Sequence, residues 1–233
     1  MTKTKTYKAV FIDLDDTLWD FKNNSREAFH DVYTDHKLEQ YFKSFDWFYT
    51  TYMTHNMALW DKYHRGEITK AALQKERFEY PFLQIGANET QLAEKIGREF
   101  LEQTTTKTGL IPHTLELLEY LHQKYPLTIV SNGFSEVQYR KMDNTNISQY
   151  FAHVVLSDHI GIQKPNIGIF EHALKVNQCK AEEVIMIGDN YDIDILGAKN
   201  ANMDQIYFSE TWAGEPNEAN YSVSNLKQII SIL

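Results

Sequence analysis

Short apolar runs and longer helical stripes alternate unevenly along the chain. Ala9-Val10-Phe11-Ile12 is a continuous apolar run, the pattern of a strand buried on both faces, and it stops abruptly at Asp13-Leu14-Asp15-Asp16-Thr17. From there to about residue 107 the spacing is helical. Tyr41, Phe45, Phe48 and Tyr52 recur at helical intervals, Met53, Met57 and Trp60 continue them, and Leu92, Ile96 and Phe100 form a second stripe with Asn88 as its predicted N-cap. Gly66 and Pro81 predict breaks between helices. Residues 19–82 hold 16 of the 31 aromatics, a density that predicts a small bundle stabilised by large rings. The polar stretch Thr104–Gly109 reads as a linker.

Beyond it the texture changes to strand–helix alternation. Leu127–Val130, Val154–Leu156 and Val184–Ile187 read as strands, each followed by a helical segment: one after Ser131-Asn132-Gly133, one from about Asn166 to Val176, and one behind Gly188-Asp189. Asp204–Tyr207 and Tyr221–Val223 are weaker strand signals, and Leu226–Leu233 predicts a closing helix. Repeated strand–turn–helix units imply a parallel sheet covered on both faces, with ligands bound beyond the carboxyl ends of its strands. The expected fold is therefore α/β: a Rossmann-like parallel sheet core over residues 1–17 and 108–233, with a helical domain inserted over 18–107.

Composition narrows the function. With 42% apolar and 24% charged residues, the 233-residue chain is ordinary for a folded domain, and it is long enough to bury a core without staples. A net charge of −9 argues against a nucleic-acid polymer or an anionic membrane as partner. It also means that any phosphate site must be made positive locally. The single cysteine, Cys179, excludes an internal disulfide and paired-cysteine metal sites, and no apolar stretch reaches transmembrane length, so a cytoplasmic protein is expected.

Four polar clusters follow the predicted strands: Asp13-x-Asp15-x-Thr17, Ser131-Asn132-Gly133, Lys164-Pro165, and Gly188-Asp189 with Asp194. Any one alone is best read as a turn, an N-cap or a solvated side chain. Together, and in this order, they supply a nucleophile, hydroxyls, a cation and a second acidic pair, which independent turns would not. In this combination the sequence resembles the haloacid dehalogenase (HAD) superfamily. Its four motifs match Asp13, Asp15 and Thr17, then Ser131, then Lys164, then Gly188, Asp189 and Asp194, and the insert lies where that superfamily carries its helical type-1 cap. Asp15-Asp16-Thr17-Leu18-Trp19-Asp20-Phe21 and the aromatic insert are most similar to its pyrimidine 5′-nucleotidase branch.

The resemblance implies a phosphate monoester hydrolase working through an aspartyl-phosphate. A carboxylate attacking a phosphate dianion faces charge repulsion, and Asp13 and Asp189 at successive strand ends make an oxygen site suited to Mg²⁺; the family adds the Asp15 backbone carbonyl as a third ligand. Asp13 is expected to be the nucleophile and Asp15 the general acid and base. Lys164 is expected to offset charge, while Thr17, Ser131, Asn132 and Gly133 hold the phosphoryl group and Asp194 orients Lys164 or the metal's waters. Asp16 and Asp192 read as turn residues, and of the nine histidines His55, His64 and His113 are assigned to surface or packing roles. Among the aromatics, Trp19, Phe21 and Trp47 are candidates to reach the site.

The expected partner is a small phosphorylated metabolite, a pyrimidine nucleoside monophosphate ahead of a sugar phosphate, handled by a monomer or homodimer. A phosphomutase would share every catalytic residue, and a 2-haloacid dehalogenase would lack the acid at Asp15. A signalling receiver domain would carry its paired acids adjacent on the first strand, and no insert of this size.

Overall fold

Strand β1 (Ala9–Ile12) has no polar position because neither of its faces sees water: all four side chains are fully buried. Alternate residues serve opposite layers. Val10 and Ile12 pack with Leu117, Leu118 and Leu226, whereas Ala9 and Phe11 pack with Ile169, Phe170 and Ala198. The computed structural model that shows this describes residues 6–233.

After β1 come α1 (Phe21–Asp35), α2 (Phe45–His64), α3 (Lys70–Gln84) and α4 (Thr90–Thr106). The chain then continues through α5 (Thr114–His122), β2 (Leu127–Ser131), α6 (Ser135–Asn144), β3 (Phe151–Leu156), α7 (Ser157–Ile160) and α8 (Ile167–Asn177). It closes with β4 (Val184–Gly188), α9 (Leu196–Asn200), β5 (Asp204–Phe208), β6 (Tyr221–Val223) and a 3₁₀ segment, Leu226–Ser231, where an α-helix was expected. The six strands form one sheet in the order β3-β2-β1-β4-β5-β6, and every pairing is parallel. This is the Rossmann-like α/β architecture. The chain steps from β1 to β2 and β3 on one side and then crosses back to β4 on the other side of β1, so the strand order reverses at β1, the place where such sheets bind ligands.

The chain divides into two compact units, one made of the chain through Phe21 together with Thr108–Leu233, the other of Lys22–Lys107. The division falls at Lys22 rather than at residue 18. Leu18 and Trp19 are fully buried in the core of the sheet unit, and Asp20 N–H donates to Gly109 O (3.1 Å) while Ile111 N–H donates to Leu18 O (2.9 Å). Those bonds tie the outgoing and returning chain into one short antiparallel contact on the sheet unit.

The helical unit has its own core of rings. Phe29 is central: it stacks on Phe100 (centroids 4.0 Å apart) and lies 4.3 Å from Tyr52, with Phe48 and Phe78 further out. Gly97 lets α4 approach α3 closely, since a Cβ there would stand 2.9 Å from the Phe78 ring. Ser44 and Thr69 cap α2 and α3, accepting from Trp47 N–H and Ala72 N–H. Two expected breaks are not breaks. Thr104, Thr105 and Thr106 remain helical because each hydroxyl donates to a carbonyl one turn back, on Phe100, Glu102 and Gln103. Pro81 lies in the last turn of α3, where its own burial and that of Phe82 outweigh the missing N–H bond. Asn88 does not cap α4; the N-cap position falls on Glu89, which makes no side-chain cap bond. Among the described residues no helix is long and apolar enough to cross a membrane.

Because the Phe29 ring packs against five other rings and is fully buried, Phe29→Ala is expected to destabilise the helical unit by about 3–5 kcal/mol. Urea unfolding followed by tyrosine and tryptophan fluorescence reads this directly. A change below about 1 kcal/mol would mean that the ring cluster is not the core of this unit.

Candidate active site

The predicted clusters converge at the carboxyl ends of β1, β2 and β4. Asp13 continues β1 by one residue, its N–H donating to Ile187 O of the neighbouring strand at 2.9 Å. The chain then curls: Leu18 N–H and Trp19 N–H both donate to Leu14 O (2.9 Å each), and Asp16 takes a left-handed φ of 58° at the corner. Asp16 is thus the turn residue it was read to be. The curl leaves Asp13 and Asp15 on the same side of the segment while Leu14 and Leu18 are fully buried beneath it.

Lys164 sits at the centre, 2% exposed, with its Nζ 2.5 Å from Asp13 Oδ1 and 2.6 Å from Asp194 Oδ1. Asp194 is equally buried and its second oxygen accepts the Asn190 N–H at 3.1 Å, so both of its oxygens are engaged in holding protein groups. Gly188 makes room for this: a Cβ there would stand 2.5 Å from the Asp194 side chain. Asn132, expected at the phosphate, instead clamps the Lys164 backbone, its amide donating to Lys164 O (2.9 Å) and its carbonyl accepting Lys164 N–H (2.8 Å). Thr17, also expected there, is fully buried with its hydroxyl donating to Asp189 Oδ1 at 3.1 Å. The Gly133 N–H, read as a phosphate donor, closes the turn onto Ser131 Oγ at 3.1 Å. A hydroxyl in a strand-to-helix turn has its own backbone within reach, and no external group is needed to satisfy that N–H.

Two residues at the site carried no motif signal. Lys141 Nζ lies 2.6 Å from Asp15 Oδ1, and Gln138 Nε2 donates both to Asp15 Oδ2 (2.9 Å) and to Ser131 Oγ (2.8 Å). Both come from α6. A Gln and a Lys three residues apart on the helix that follows Ser131-Asn132-Gly133 share one face, and that spacing was the available signal. Trp19 and Phe21 flank Lys141, their ring centroids 4.3 and 5.5 Å from its Nζ, and Trp47 packs on Phe42 within the helical unit.

The electrostatics follow from burying more acids than bases. Burial pushes the Asp13 carboxyl up to about 7; Lys164 pulls it down, and the Asp194 and Asp15 carboxylates add to the rise. Asp189 is pushed up to about 9 by burial and then by the Asp13, Asp194 and Asp16 carboxylates, with the Thr17 bond opposing. Burial alone would lower Lys164, but Asp13 and Asp194 outweigh it and hold the ammonium protonated. Oxygens of Asp13, Asp189 and Asp194 lie within 4.8 Å of one another. Hard carboxylate donors with uncompensated negative charge suit a divalent cation such as Mg²⁺. Since both Asp194 oxygens are already bonded, Asp13 and Asp189 are the carboxylates best placed to hold it.

The haloacid dehalogenase-like hydrolase profile matches residues 7–202. Pyrimidine 5′-nucleotidase YjjG of Escherichia coli is 28% identical over 227 residues, covering 96% of each chain. Glyceraldehyde 3-phosphate phosphatase of Methanothermobacter thermautotrophicus is 33% identical over 210 residues, covering 85% of this chain and 84% of its own. The crystal structure of the putative HAD-hydrolase YfnB from Bacillus subtilis, bound to magnesium, matches with a TM-score of 0.87 and 25% identity over 98% of this chain and 99% of that one.

The raised carboxyls make a pH prediction. Without metal, Asp13 and Asp189 keep protons in the folded state that the unfolded chain, with carboxyls near 3.8, has already lost, so folding stability falls as pH rises from about 4 through 7 to 9. A divalent cation competes with those protons, so Mg²⁺ should raise the melting temperature more at about pH 8.5 than at about pH 5.5. Thermal unfolding with and without Mg²⁺ at the two pH values tests this; equal shifts would rule out metal binding at these carboxylates.

Proposed function

The chain belongs to the haloacid dehalogenase-like hydrolases, and we propose that within this family it is a Mg²⁺-dependent phosphate monoesterase acting through an aspartyl-phosphate on Asp13. The observation that carries this reading is the buried Asp13–Lys164–Asp194 chain with Asp15 two residues from the nucleophile. A halide departs without a proton, whereas an ester oxygen needs one, and Asp15 is an acid where only the second kind of leaving group has use for it.

In this reading an Asp13 oxygen forms a bond to phosphorus as the bond to the ester oxygen breaks, and Asp15 gives that oxygen its proton. Water then attacks the phosphorus, passes a proton to Asp15, and the bond to Asp13 breaks to release phosphate. Lys164 offsets charge on Asp13 and the phosphoryl oxygens, and Asp194 holds Lys164. Thr17 steadies Asp189 and Asn132 steadies the Lys164 loop, so neither needs to touch substrate. Asp13, Asp189 and the Asp15 carbonyl would hold Mg²⁺, whose positive charge would let a carboxylate approach a phosphate dianion.

For the substrate we take a pyrimidine nucleoside 5′-monophosphate, on the full-length likeness to YjjG. The ring density of the helical unit adds no support, because its main rings are committed to that unit's own core. The likeness to a triose phosphate phosphatase makes a small sugar phosphate the second reading.

Asp13→Asn should abolish phosphate release while leaving the melting temperature equal or higher, and chelator should abolish wild-type turnover reversibly. Retained turnover in either case would refute the aspartyl-phosphate reading or the metal requirement respectively. On one plate, uridine and thymidine monophosphates should exceed glyceraldehyde 3-phosphate and glucose 6-phosphate in kcat/KM by about five-fold or more, corresponding to about 1 kcal/mol of selective binding. A sugar phosphate turned over equally well would move the chain to the second reading and leave the phosphatase chemistry standing.

A further inference from the structure

The α6 face over the catalytic turn is built as a clamp. Each oxygen of the Asp15 carboxylate is bonded by a side chain of this one helix, Oδ1 by Lys141 at 2.6 Å and Oδ2 by Gln138 at 2.9 Å. The Gln138 amide has two hydrogens, and the second reaches Ser131 Oγ at 2.8 Å. One buried amide therefore links the acid of the first cluster to the hydroxyl of the second.

Packing alone does not account for these residues. Gln138 is fully buried, and the Lys141 side chain is 3% exposed with Asp15 as its ion-pair partner. Burying an ammonium is costly unless it is paired, and Trp19 and Phe21 line the ammonium rather than capping it with a second acid. Gly133 supplies an independent sign: a Cβ at that position would stand 2.2 Å from Gln138 Nε2, so the glycine is needed to seat the amide. Ser131 Oγ already accepts two bonds, from Gln138 and from the Gly133 N–H, which leaves its hydroxyl proton as its remaining hydrogen-bonding capacity. The same amide that aims Asp15 thereby forces Ser131 to act as a donor.

We propose that Gln138 and Lys141 are positioning residues that hold Asp15 in line for proton transfer to the ester oxygen and fix Ser131 as a hydrogen-bond donor to the phosphoryl group. The proposal rests on the phosphatase reading above. Its signature is selective: an alkyl ester needs a well-placed acid, whereas nitrophenolate leaves without one, and proton transfer from a positioned acid contributes about 10²–10⁴-fold.

The test compares a nucleoside monophosphate with 4-nitrophenyl phosphate in the Mg²⁺-loaded wild type, Asp15→Asn, Lys141→Met, Gln138→Met, Gly133→Ala and the double variant Asp15→Asn/Lys141→Met. Lys141→Met is expected to lower kcat for the nucleotide by about 10-fold or more, with KM little changed, and to lower kcat for the nitrophenyl ester far less. Gln138→Met and Gly133→Ala also disturb Ser131, so they should lower kcat for both esters but for the nucleotide more, and that excess carries the test if Lys141→Met fails to fold. In the Asp15→Asn background, loss of Lys141 should cost nothing further. Equal losses on both esters, or losses that multiply in the double variant, would overturn the positioning role. A wild type that releases no phosphate from either ester would instead overturn the phosphatase reading, and this inference with it.

Discussion

A single buried ammonium holds the site together. Lys164 bridges Asp13, at the end of β1, and Asp194, in the helical turn after β4, and without it two carboxylates would face each other in a desolvated pocket. Its neighbours exist to keep it there: Asn132 grips its backbone from both sides, Asp194 grips its Nζ, and Gly188 leaves the space in which Asp194 stands. Removing the ammonium alone would leave two uncompensated buried carboxylates, which is far costlier than removing the set as a whole. Even with Lys164 in place the cluster holds more acid than base, so neutralising Asp13 relieves charge rather than stranding it.

That deficit has a second, separate compensation. Asp15 does not share Lys164; it has its own cation, Lys141, delivered by α6 together with Gln138. The two lysines thus serve different acids, Lys164 beside Asp13 and Lys141 beside Asp15. The division gives the two carboxylates independent neighbours, although they lie two positions apart in the chain. It also explains why the turn after β1 is so tightly self-bonded, with Leu14 O accepting two N–H groups: the relative placement of Asp13 and Asp15 is set by backbone rather than by side-chain chance.

The helical unit solves a different problem. Its four helices are joined by short connections and need a core of their own, which Phe29, Phe48, Tyr52, Phe78 and Phe100 provide. The ring density that the sequence shows over this segment is spent on that task. The sheet unit correspondingly keeps Leu18 and Trp19, which the chain order alone would hand to the insert, because their side chains complete the core beneath the catalytic turn.

The strands and the candidate acids were legible from local pattern. A doubly buried strand has no polar positions, so Ala9–Ile12 and Val184–Ile187 announce themselves, and an acid that follows such a run abruptly stands at a strand end wherever the strand goes. Helix ends were less legible, because Thr104–Thr106 and Pro81 carry signals of a break that back-bonded hydroxyls and burial override. Partnership was not legible at all. Whether Thr17 faces phosphate or Asp189, whether Asn132 binds substrate or Lys164, and that Lys141 reaches Asp15 across 126 positions depend on which strand ends meet. The sequence by itself determined which groups could do chemistry and on which kind of element each would sit. Only the tertiary structure decided which of them touch, because hydrogen bonds and ion pairs act over about 3 Å while local patterning carries no information about distances between strands.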